Sequence, residues 1–431
     1  MSGEKTRQKT AIVIGAGGGG VSTAARLAKA GFKVTVLEKN SFTGGRCSLI
    51  HKEGYRFDQG PFLLLLPRLF HQAFEELDTS LEQECVELHK CDPNYRIWFG
   101  DGESFELSTD LTRMEREIEK WEGREGYERY LEYLKESHRH YELSVDHVLL
   151  KNFTSLASML RPSFLRHLLT LHPLESIWTR SGKYFWTERL RGVFTFGSMY
   201  MGMSPFDAPG TYSLLQYTEL AEGIWYPVGG FWRVMEALVK VGGRFGAQYR
   251  MDEAVEQILL SKDGSRAVGV RLESGVEIKA DVVVNNSDLV YAYNNLLLHK
   301  RRMRSRSPNG RHHVQVPELE AHNIFLADEY KESLDSIFKK HLIPDAPSFY
   351  VNVPSRVDDS AAPQGRDSVV VLVPVGHLVD ATPTTLADAN GNTAVNGKPQ
   401  PTANRQSSTS PTSHFPHKPA SRPPNTKTGP P

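Results

Sequence analysis

Residues 11–46 read AIVIGAGGGGVSTAARLAKAGFKVTVLEKNSFTGGR, and this stretch decides the fold class of the chain. It opens with an apolar run, Ala11 to Ile14, which predicts a β-strand buried on both faces. A glycine-rich turn follows, and small apolar residues then recur at helical spacing as far as Gly31. Residues 33–37 (KVTVL) predict a second strand, parallel to the first. The stretch is therefore predicted to form a β–turn–α–β unit.

The glycines of this turn, Gly15, Gly17 and Gly20, lie in G-x-G-x-x-G register. In that motif the first glycine permits a tight turn, the second lets the backbone approach a pyrophosphate, and the third lets helix and strand pack closely. The helix N-terminus then directs free N–H groups at the phosphates. Glu38 closes the second strand and is predicted to accept hydrogen bonds from ribose hydroxyls. A glycine-rich loop in an unrelated α/β unit would leave this acid unexplained, so we predict dinucleotide binding.

The residues after Glu38 indicate which dinucleotide is bound. Gly44 and Gly45 would let the backbone approach a second stretch of the cofactor, and Arg46 would supply positive charge there. In nicotinamide-dependent dehydrogenases an arginine near this position serves a 2′-phosphate. The E-x(6)-G-R spacing fits an FAD site better than an NAD site, so we rank NAD below FAD.

Composition excludes several classes of function. The 431 residues hold 51 Lys+Arg and 51 Asp+Glu, and this zero net charge argues against a nucleic-acid partner. The three cysteines lack metal-ligand spacing, so we predict a reducing compartment and no metal. Residues 1–10 hold no secretory signal, and no apolar run is long enough to span a membrane. There is no hydrolase triad signature and no H-E-x-x-H motif, which leaves the chemistry to the cofactor.

The middle of the chain is predicted to be helical after a short β region. Residues 55–58 (YRFD) predict a strand, and residues 95–107 predict a hairpin. Apolar residues at helical spacing follow from 109 to 141, with Asp110 as N-cap. Residues 149–178 mix apolar and basic side chains, which fits either buried core helices or a helical surface that dips into one membrane leaflet. The residues alone favour the core interpretation.

Residues 223–238 (GIWYPVGGFWRVMEAL) place aromatic side chains and a proline before a glycine pair, with a helix starting near Phe231. Such a segment either brings backbone close to a planar or apolar ligand or is a plain turn before a helix. Residues 252–288 predict three strands and then a central parallel strand over 281–286, whose polar end lies where ligands bind. We therefore assign residues 252–288 to the nucleotide-binding domain, reached after a long insertion.

The last third of the chain combines predicted helix and strands with a basic run and a low-complexity tail. Residues 319–353 predict a helix followed by a strand, and residues 369–375 predict a buried strand. The basic run 299–313 is interpreted as a solvated loop in preference to a nucleic-acid patch. From about residue 380 the chain is rich in Pro, Ser, Thr and Asn, so we predict a disordered tail that buries no core.

Several segments together resemble the bacterial and fungal type of phytoene desaturase, a family of FAD-dependent carotenoid desaturases, and the fungal branch most closely. The resemblance covers roughly residues 9–298 and 316–379. Besides the glycine motif through Arg46, it rests on FDQGP (57–61), KCDPNY (90–95), IWYPVGG (224–230), PSFYV (347–351) and VVVLVPVGHL (369–378). The first motif alone is shared with amine oxidases and protoporphyrinogen oxidases, whereas the set is specific.

The resemblance implies desaturation of phytoene to lycopene or 3,4-didehydrolycopene, in which a hydride passes from an allylic carbon to the flavin and a proton is lost. It implies an α/β fold, with a Rossmann-like FAD-binding domain of the p-hydroxybenzoate hydroxylase and amine oxidase type. An α+β domain that contacts substrate and membrane is inserted in it. It further implies an intracellular, monotopic protein associated with the membrane surface, and it leaves homo-oligomerisation open.

The resemblance also assigns site residues. Those for the ADP half of FAD are Gly15, Gly17, Gly20 and Glu38. Those near the pyrophosphate are Gly45 and Arg46, and those beside the flavin are Gly60 and Pro61. Those for the polyene channel or flavin face are Trp225, Tyr226, Gly229 and Gly230. No residue is predicted as the catalytic acid or base.

These assignments divide the chain into five parts. They are an FAD-binding part (1–108), a helical substrate and membrane domain (109–228), a second FAD-binding part (229–298), a second part of the substrate domain (299–379) and a low-complexity tail (380–431).

The chain departs from the family at two places. Residues 299–315 are basic where the family has an apolar segment, and residues after about 378 do not resemble the family at all. We therefore expect a truncated or mis-spliced product that folds poorly or lacks activity. The alternatives are a non-catalytic remnant and another flavin oxidoreductase of the amine oxidase superfamily, acting on amines or porphyrinogens.

Overall fold

The computed structural model describes residues 7–155, 158, 162, 166–297, 310–312 and 317–376. The architecture below is that of the unit Met1–Leu378, and residues 379–431 form a separate unit that lies outside the described residues. The predicted disordered tail lies outside the described residues, as does the predicted basic loop except for 310–312. None of the described helices is long and apolar enough to cross a membrane.

Seventeen strands and ten α-helices are described, besides short 3-10 and π-helical segments. The strands are β1 (Thr10–Ile14), β2 (Lys33–Leu37), β3 (Leu49–Lys52), β4 (Tyr55–Asp58), β5 (Leu88–Lys90), β6 (Tyr95–Trp98), β7 (Ser104–Leu107), β8 (Trp225–Pro227), β9 (Gln248–Arg250), β10 (Val255–Leu260), β11 (Ala267–Leu272), β12 (Glu277–Lys279), β13 (Val282–Asn285), β14 (Gly310–His312), β15 (His322–Phe325), β16 (Phe349–Asn352) and β17 (Val369–Leu372). The helices are α1 (Gly18–Lys29), α2 (Pro67–Glu75), α3 (Leu111–Ser144), α4 (Leu168–Leu171), α5 (Ile177–Ser181), α6 (Glu188–Val193), α7 (Ser213–Tyr217), α8 (Trp232–Arg244), α9 (Leu289–Tyr291) and α10 (Tyr330–Phe338).

The first sheet has the order β13-β1-β2-β9 with all strands parallel, which confirms the predicted β–turn–α–β unit. Helices α1 and α8 pack on one face of it through small and branched apolar side chains such as Ala25 and Val241. The prediction of a central strand at 281–286 is wrong for the described sheet, because β13 lies at its edge and is only half-buried. An apolar run indicates that other elements pack on the faces of a strand, and here the antiparallel sheet β10-β11-β12 packs against β13. The run does not indicate whether the strand lies at the centre or at the edge of its sheet.

The second sheet has the order β14-β17-β16-β15-β6-β7. The hairpin predicted at 95–107 is present as β6 and β7, and β6 pairs in parallel with β15. Strand β15 stands where a helix was predicted to begin, and β17 is shorter and more exposed than the buried strand predicted at 369–375. Because β6 pairs with β15 from the last third of the chain, this sheet joins residues on both sides of the predicted boundary at residue 108, and the boundary itself stays a prediction.

A helical layer covers the second sheet. The predicted N-cap is confirmed, since Asp110 accepts hydrogen bonds from the backbone N–H groups of Thr112 and Arg113. Helix α3 kinks at Gly123 and buries one face that includes Met114, Ile118, Tyr130 and Tyr133. That face joins an aromatic core with Phe185 and Phe194, whose stacked ring centroids lie 4.1 Å apart.

The core interpretation of residues 149–178 holds only in part. Leu171 is buried, but Leu149, Leu150 and Phe153 are exposed, so the interpretation is wrong for these three side chains. Most of 156–165 lies outside the described residues.

Candidate functional site

Different structural reasons account for the glycines in the turn between β1 and α1. Gly15 has a φ of +93°, which favours glycine. A Cβ on Gly20 would overlap the carbonyl oxygen of Gly15, so the fold itself requires this glycine. Gly17 has an ordinary φ of −73°, and a Cβ there would meet only the Asn286 side chain, at 3.4 Å. Within the described part of the chain no atom requires a glycine at position 17, so the space above it is available to a ligand.

Helix α1 begins at this turn with free donors. Gly17 is its N-cap and provides no side-chain acceptor, and the first turn contains no acidic residue. The backbone N–H groups and the positive end of the helix dipole are therefore directed at the space above Gly17, which suits an anionic group.

Glu38 is buried and holds the turn in place. Its Oε2 accepts from the Ala16 N–H at 2.8 Å, and its Oε1 accepts from the backbone and side-chain nitrogens of Asn40. The sequence did not indicate this structural role. Each carboxylate oxygen can accept more than one hydrogen bond, so the predicted bonds to ribose hydroxyls remain compatible with it.

The segment after β2 packs directly against the glycine turn. Gly44 has a φ of +103° and donates its N–H to Ala16 O at 2.8 Å. A Cβ on Gly45 would lie 3.1 Å from Gly17 Cα. The Arg46 side chain is 89% exposed, with its guanidinium 3.7 Å from Asp288. The structure thus brings the predicted Gly45 and Arg46 beside the first turn.

Asn286 is a site residue that sequence analysis did not name. It follows β13, and its side chain lies over the glycine turn, where a Cβ on Gly19 would overlap its Oδ1 and a Cβ on Gly20 would lie 3.0 Å from its Nδ2. The signal was available, because 281–286 was predicted to end in polar residues at a ligand-binding edge. The pattern did not tell which of them would face the turn.

A buried polar cluster, formed by Arg56, Asp58, Tyr226 and Asp358, lies behind the Gly229–Gly230 pair. Asp58 accepts from the Tyr226 hydroxyl at 2.6 Å and from a backbone N–H at 2.9 Å, and burial raises the pKa of its carboxyl. The Arg56 guanidinium donates to Asp358 at 2.6 Å, and Asp358 also accepts from the Gly229 N–H. The cluster joins strand β4 to a turn some 300 residues later in the chain.

An apolar cavity of about 550 Å³ lies against the second sheet. Its described lining includes no charged residue, and the residues with polar side chains among it are Tyr200, Ser348 and Tyr350. Its lining residues are Gly60, Pro61, Phe62, Leu63, Leu65, Phe196, Met199, Tyr200, Ile324, Leu326, Phe338, Ser348, Phe349, Tyr350, Leu372, Val373 and Pro374. This volume and lining suit a hydrophobic ligand.

The predicted channel residues do not line this cavity. Tyr226 is buried in the polar cluster, Trp225 donates its indole N–H to Glu222 O, and the backbone of Gly229 bonds Asp358. A Cβ on Gly230 would lie 2.7 Å from Leu49 and 3.1 Å from Asp58, so this glycine serves close packing. These four residues lie in or beside the polar cluster and are not among the described residues that line the cavity. The sequence did not predict the cavity.

Residues 44–61 connect the glycine turn with the cavity. Gly45 packs on Gly17, and a Cβ on Gly60 would overlap the carbonyl oxygen of Arg46. Gly60 and Pro61 line the cavity. An anion-binding helix terminus and an apolar cavity are therefore joined by one short, glycine-rich stretch, which suits a cofactor with a phosphate part and a reactive ring.

Among the residues that the structure describes, the fold brings together one group with metal-ligating side chains, although no metal was predicted. Ligand atoms of Glu136, His140 and His172 lie within 4.8 Å of one another. Both ring nitrogens of His140 are hydrogen-bonded, to a serine hydroxyl at 2.7 Å and a backbone carbonyl at 2.8 Å, and Glu136 pairs with Arg180. These bonds already use the ligand atoms of two members, so we assign no metal to the group.

The family model of flavin containing amine oxidoreductases matches residues 19–379. A phytoene desaturase of Cercospora nicotianae is 73% identical over 387 residues, which cover 87% of this chain and 62% of that relative. A phytoene desaturase of Fusarium fujikuroi is 65% identical over 382 residues, which cover 86% of this chain and 67% of that relative. The chain thus spans about two thirds of the length of these relatives.

Among solved structures, the chain is similar to a CLA-producing fatty acid isomerase from P. acnes. The TM-score is 0.52 at 14% identity, with 86% of this chain and 78% of that chain covered. At this identity the likeness shows the fold alone.

Proposed function

This chain belongs to the flavin-containing amine oxidoreductase family, in its branch of fungal phytoene desaturases, and from that premise we propose that it desaturates phytoene with FAD. The products would be lycopene or 3,4-didehydrolycopene. The observation that carries the proposal is the short connection from the glycine turn, through Gly45 and Arg46, to an apolar cavity at Gly60.

The residues present fit a dinucleotide cofactor. Gly17 has no protein neighbour that requires a glycine, helix α1 offers uncapped N–H groups, and Glu38 has spare acceptor capacity. We assign the ADP half of FAD to these residues and the pyrophosphate to Gly45 and Arg46. The exposed Arg46 guanidinium would add positive charge beside it.

A bound FAD supplies the two-electron oxidation that removal of hydrogen from a carbon–carbon bond requires. The chain's own residues hold and shield the substrate. The apolar lining of the cavity would bind a long hydrocarbon and exclude water, and Gly60 and Pro61 would place it next to the cofactor.

We also propose association with a membrane surface, from which an apolar substrate would enter. The exposed Leu149, Leu150 and Phe153 lie close in sequence, and Leu174 is 99% exposed. Such side chains suit the interface between headgroups and acyl chains. Co-sedimentation of the chain with lipid vesicles tests this part of the proposal.

The activity is tested by incubating the purified full chain with FAD and with phytoene in lipid vesicles. We expect flavin absorbance to remain with the protein after gel filtration, and a coloured polyene to form. A chain that holds flavin but forms no pigment would contradict the desaturase proposal, and peroxide release with amines would point to an amine oxidase instead.

The inactivity that we predicted for a shortened chain stays a prediction, and it expects no pigment in the same assay, which is the opposite of the outcome that the desaturase proposal expects. The two alternatives gain no support from the relatives named above, which are both phytoene desaturases by name.

A further inference from the structure

Three polar side chains run from the apolar cavity into the protein interior. Tyr200 lines the cavity, and its hydroxyl donates to the Tyr95 hydroxyl at 2.8 Å. The Tyr95 hydroxyl donates in turn to Glu219 Oε1 at 3.0 Å. Tyr95 and Glu219 are fully buried. Both donors are directed away from the cavity, so the chain of hydrogen bonds ends on a carboxyl group that can accept a proton.

The Glu219 carboxyl has few partners for its charge. Within the part of the chain that the structure describes, it forms no ion pair, and its other neighbour is the Gln216 amide at 3.4 Å. Burial raises the pKa of Glu219 to about 8, and the hydrogen bond from Tyr95 only partly opposes this effect. The carboxyl can therefore gain or lose a proton near neutral pH.

The Gln216 side chain can form a hydrogen bond with the protonated carboxyl of Glu219. It is buried, and its Oε1 has no hydrogen-bond partner among the described residues. The oxygen and nitrogen of an amide are assigned from their surroundings, and a half-turn of the side chain would bring Oε1 to Glu219 Oε2. There it would accept from a protonated carboxyl, so the site can satisfy Glu219 in both protonation states.

The other titratable groups around this chain keep one charge state near neutral pH. Burial raises the pKa of Tyr133, from helix α3, and of Tyr350, from strand β16. Burial lowers the pKa of His322 to about 3, and its ring centroid lies 5.9 Å from that of Tyr95.

The same holds for the tyrosines of the chain of hydrogen bonds, because burial raises the pKa of both Tyr95 and Tyr200. Glu222 lies on the same helical turn as Glu219 (Thr218–Glu222), but it accepts from the Tyr141 hydroxyl, which is not part of this hydrogen-bonded series. Among these groups Glu219 is thus the one that can store a proton.

We propose that Tyr200, Tyr95 and Glu219 form a relay that accepts the proton lost from a substrate in the apolar cavity, an inference that rests on the proposed desaturation. One C–H bond of the substrate breaks, and its electron pair becomes the π bond of the new double bond. A bound flavin would supply the two-electron oxidant for the hydride that leaves the adjacent carbon.

The proton binds the oxygen of Tyr200, the Tyr200 proton moves to Tyr95, and the Tyr95 proton moves to Glu219. One proton is transferred in total, and both hydroxyls are restored. Once the product has left, it returns along the same hydrogen bonds to the cavity, where Tyr200 as a whole residue is 40% exposed.

The first test uses the full chain without cofactor and follows the infrared band of a protonated carboxyl. We expect a band that disappears as the pH rises through about 8 and that is absent in Glu219→Gln. After dilution into D2O, its exchange should slow at least about tenfold in Tyr200→Phe and Tyr95→Phe, because local opening is then the remaining route.

Tyr130→Phe is the matched control. Tyr130 is fully buried in the same aromatic core, and its hydroxyl has no partner among the described residues. Its loss should leave the exchange rate unchanged. Equal exchange in Tyr200→Phe and in the wild type, or no titrating band in the neutral range, would overturn the relay. If Tyr95→Phe does not fold, the exchange rate of Tyr200→Phe alone tests the relay. This variant is expected to fold because Tyr200 is partly exposed.

The second test measures product formation with FAD and phytoene. We expect the wild-type rate to rise with pH up to about 8, and Tyr200→Phe and Glu219→Gln to lower it about 100-fold with flavin binding unchanged. Tyr200→Phe with a normal rate and pH profile would overturn the relay. A wild type that forms no product but shows relay-dependent exchange would overturn the proposed function and support the relay.

Discussion

Gly17 and Gly20 look alike in the sequence, but the structure gives them different reasons to be glycine. Gly20 is required by the protein itself, since a Cβ would overlap the Gly15 carbonyl. Gly17 has an ordinary backbone conformation and room for a Cβ. A residue that the fold would allow to be larger, at the start of a helix with free donors, indicates that a ligand sets the limit.

Gly17→Ala should therefore separate binding from folding. We expect FAD affinity to fall about 10- to 100-fold, because the new methyl group occupies the space of the pyrophosphate. Stability should fall by less than about 1 kcal/mol, since alanine is a poorer N-cap than glycine. Flavin titration and urea denaturation measure the two effects.

Gly243→Ala is the matched control for that substitution. No described atom outside the helix's own nearby backbone lies within 4 Å of a Cβ at this helical position, so we expect unchanged flavin affinity and a gain in stability of about 0.5–1 kcal/mol. Wild-type flavin affinity in Gly17→Ala would contradict the assigned site.

Glu219 should also make stability depend on pH. Its pKa is raised from 4.5 to about 8 in the folded state, so the folded chain keeps a proton that the unfolded chain loses. The stabilising effect is complete below pH 4.5 and is lost as the pH rises to about 8, by at most about 1.4 kcal/mol per pH unit. Denaturation series should show this slope in the wild type, and Glu219→Gln should lack it. Parallel curves for the two proteins would contradict the assigned protonation.

At the scale of single elements, the hydrophobic pattern predicted two kinds of strand: those in which apolar and polar residues alternate, and those that are buried on both faces. Strand β15 was missed because it carries His322 and Asn323 on buried positions. These polar side chains interrupt an apolar pattern, yet they are satisfied by distant partners, such as the Tyr350 hydroxyl at 2.8 Å from His322 Nδ1. A pattern read along one strand does not include partners that lie on another strand.

The edge position of β13 has a similar cause. Its valines predicted a buried parallel strand, which is correct in direction, and pairing with β1 confirms it. Its place in the sheet depends on how many strands pair on its far side, and that number is a property of the assembled sheet.

At the scale of the whole molecule, a buried ion pair joins distant parts of the chain. Arg56 and Asp358 are separated by 302 residues, and their side chains are 7% and 4% exposed. Asp358 also accepts from the Gly229 N–H, so the pair holds the glycine loop against strand β4. A buried charge without its partner is costly.

Asp358→Ala should thus destabilise the chain by about 3–5 kcal/mol, because it leaves the Arg56 guanidinium buried without its carboxylate. The double variant Arg56→Met with Asp358→Ala should lose less than the sum of the two single variants. Asp101→Ala, which removes an exposed pair with Arg189, is the control and should change stability little. Urea denaturation without cofactor measures these changes, and additive losses would contradict a coupled pair.

The sequence by itself determined the β–turn–α–β unit, because glycine spacing, a buried strand and a helix with small residues are local and need no distant partner. It also predicted the hairpin at 95–107 and the cap at Asp110. Only the tertiary structure decided where the apolar cavity lies, why Tyr226 belongs to a polar cluster, and that Tyr200, Tyr95 and Glu219 are connected. Those features join residues more than a hundred positions apart, and their burial and pairing arise only when the sheets and helices pack together.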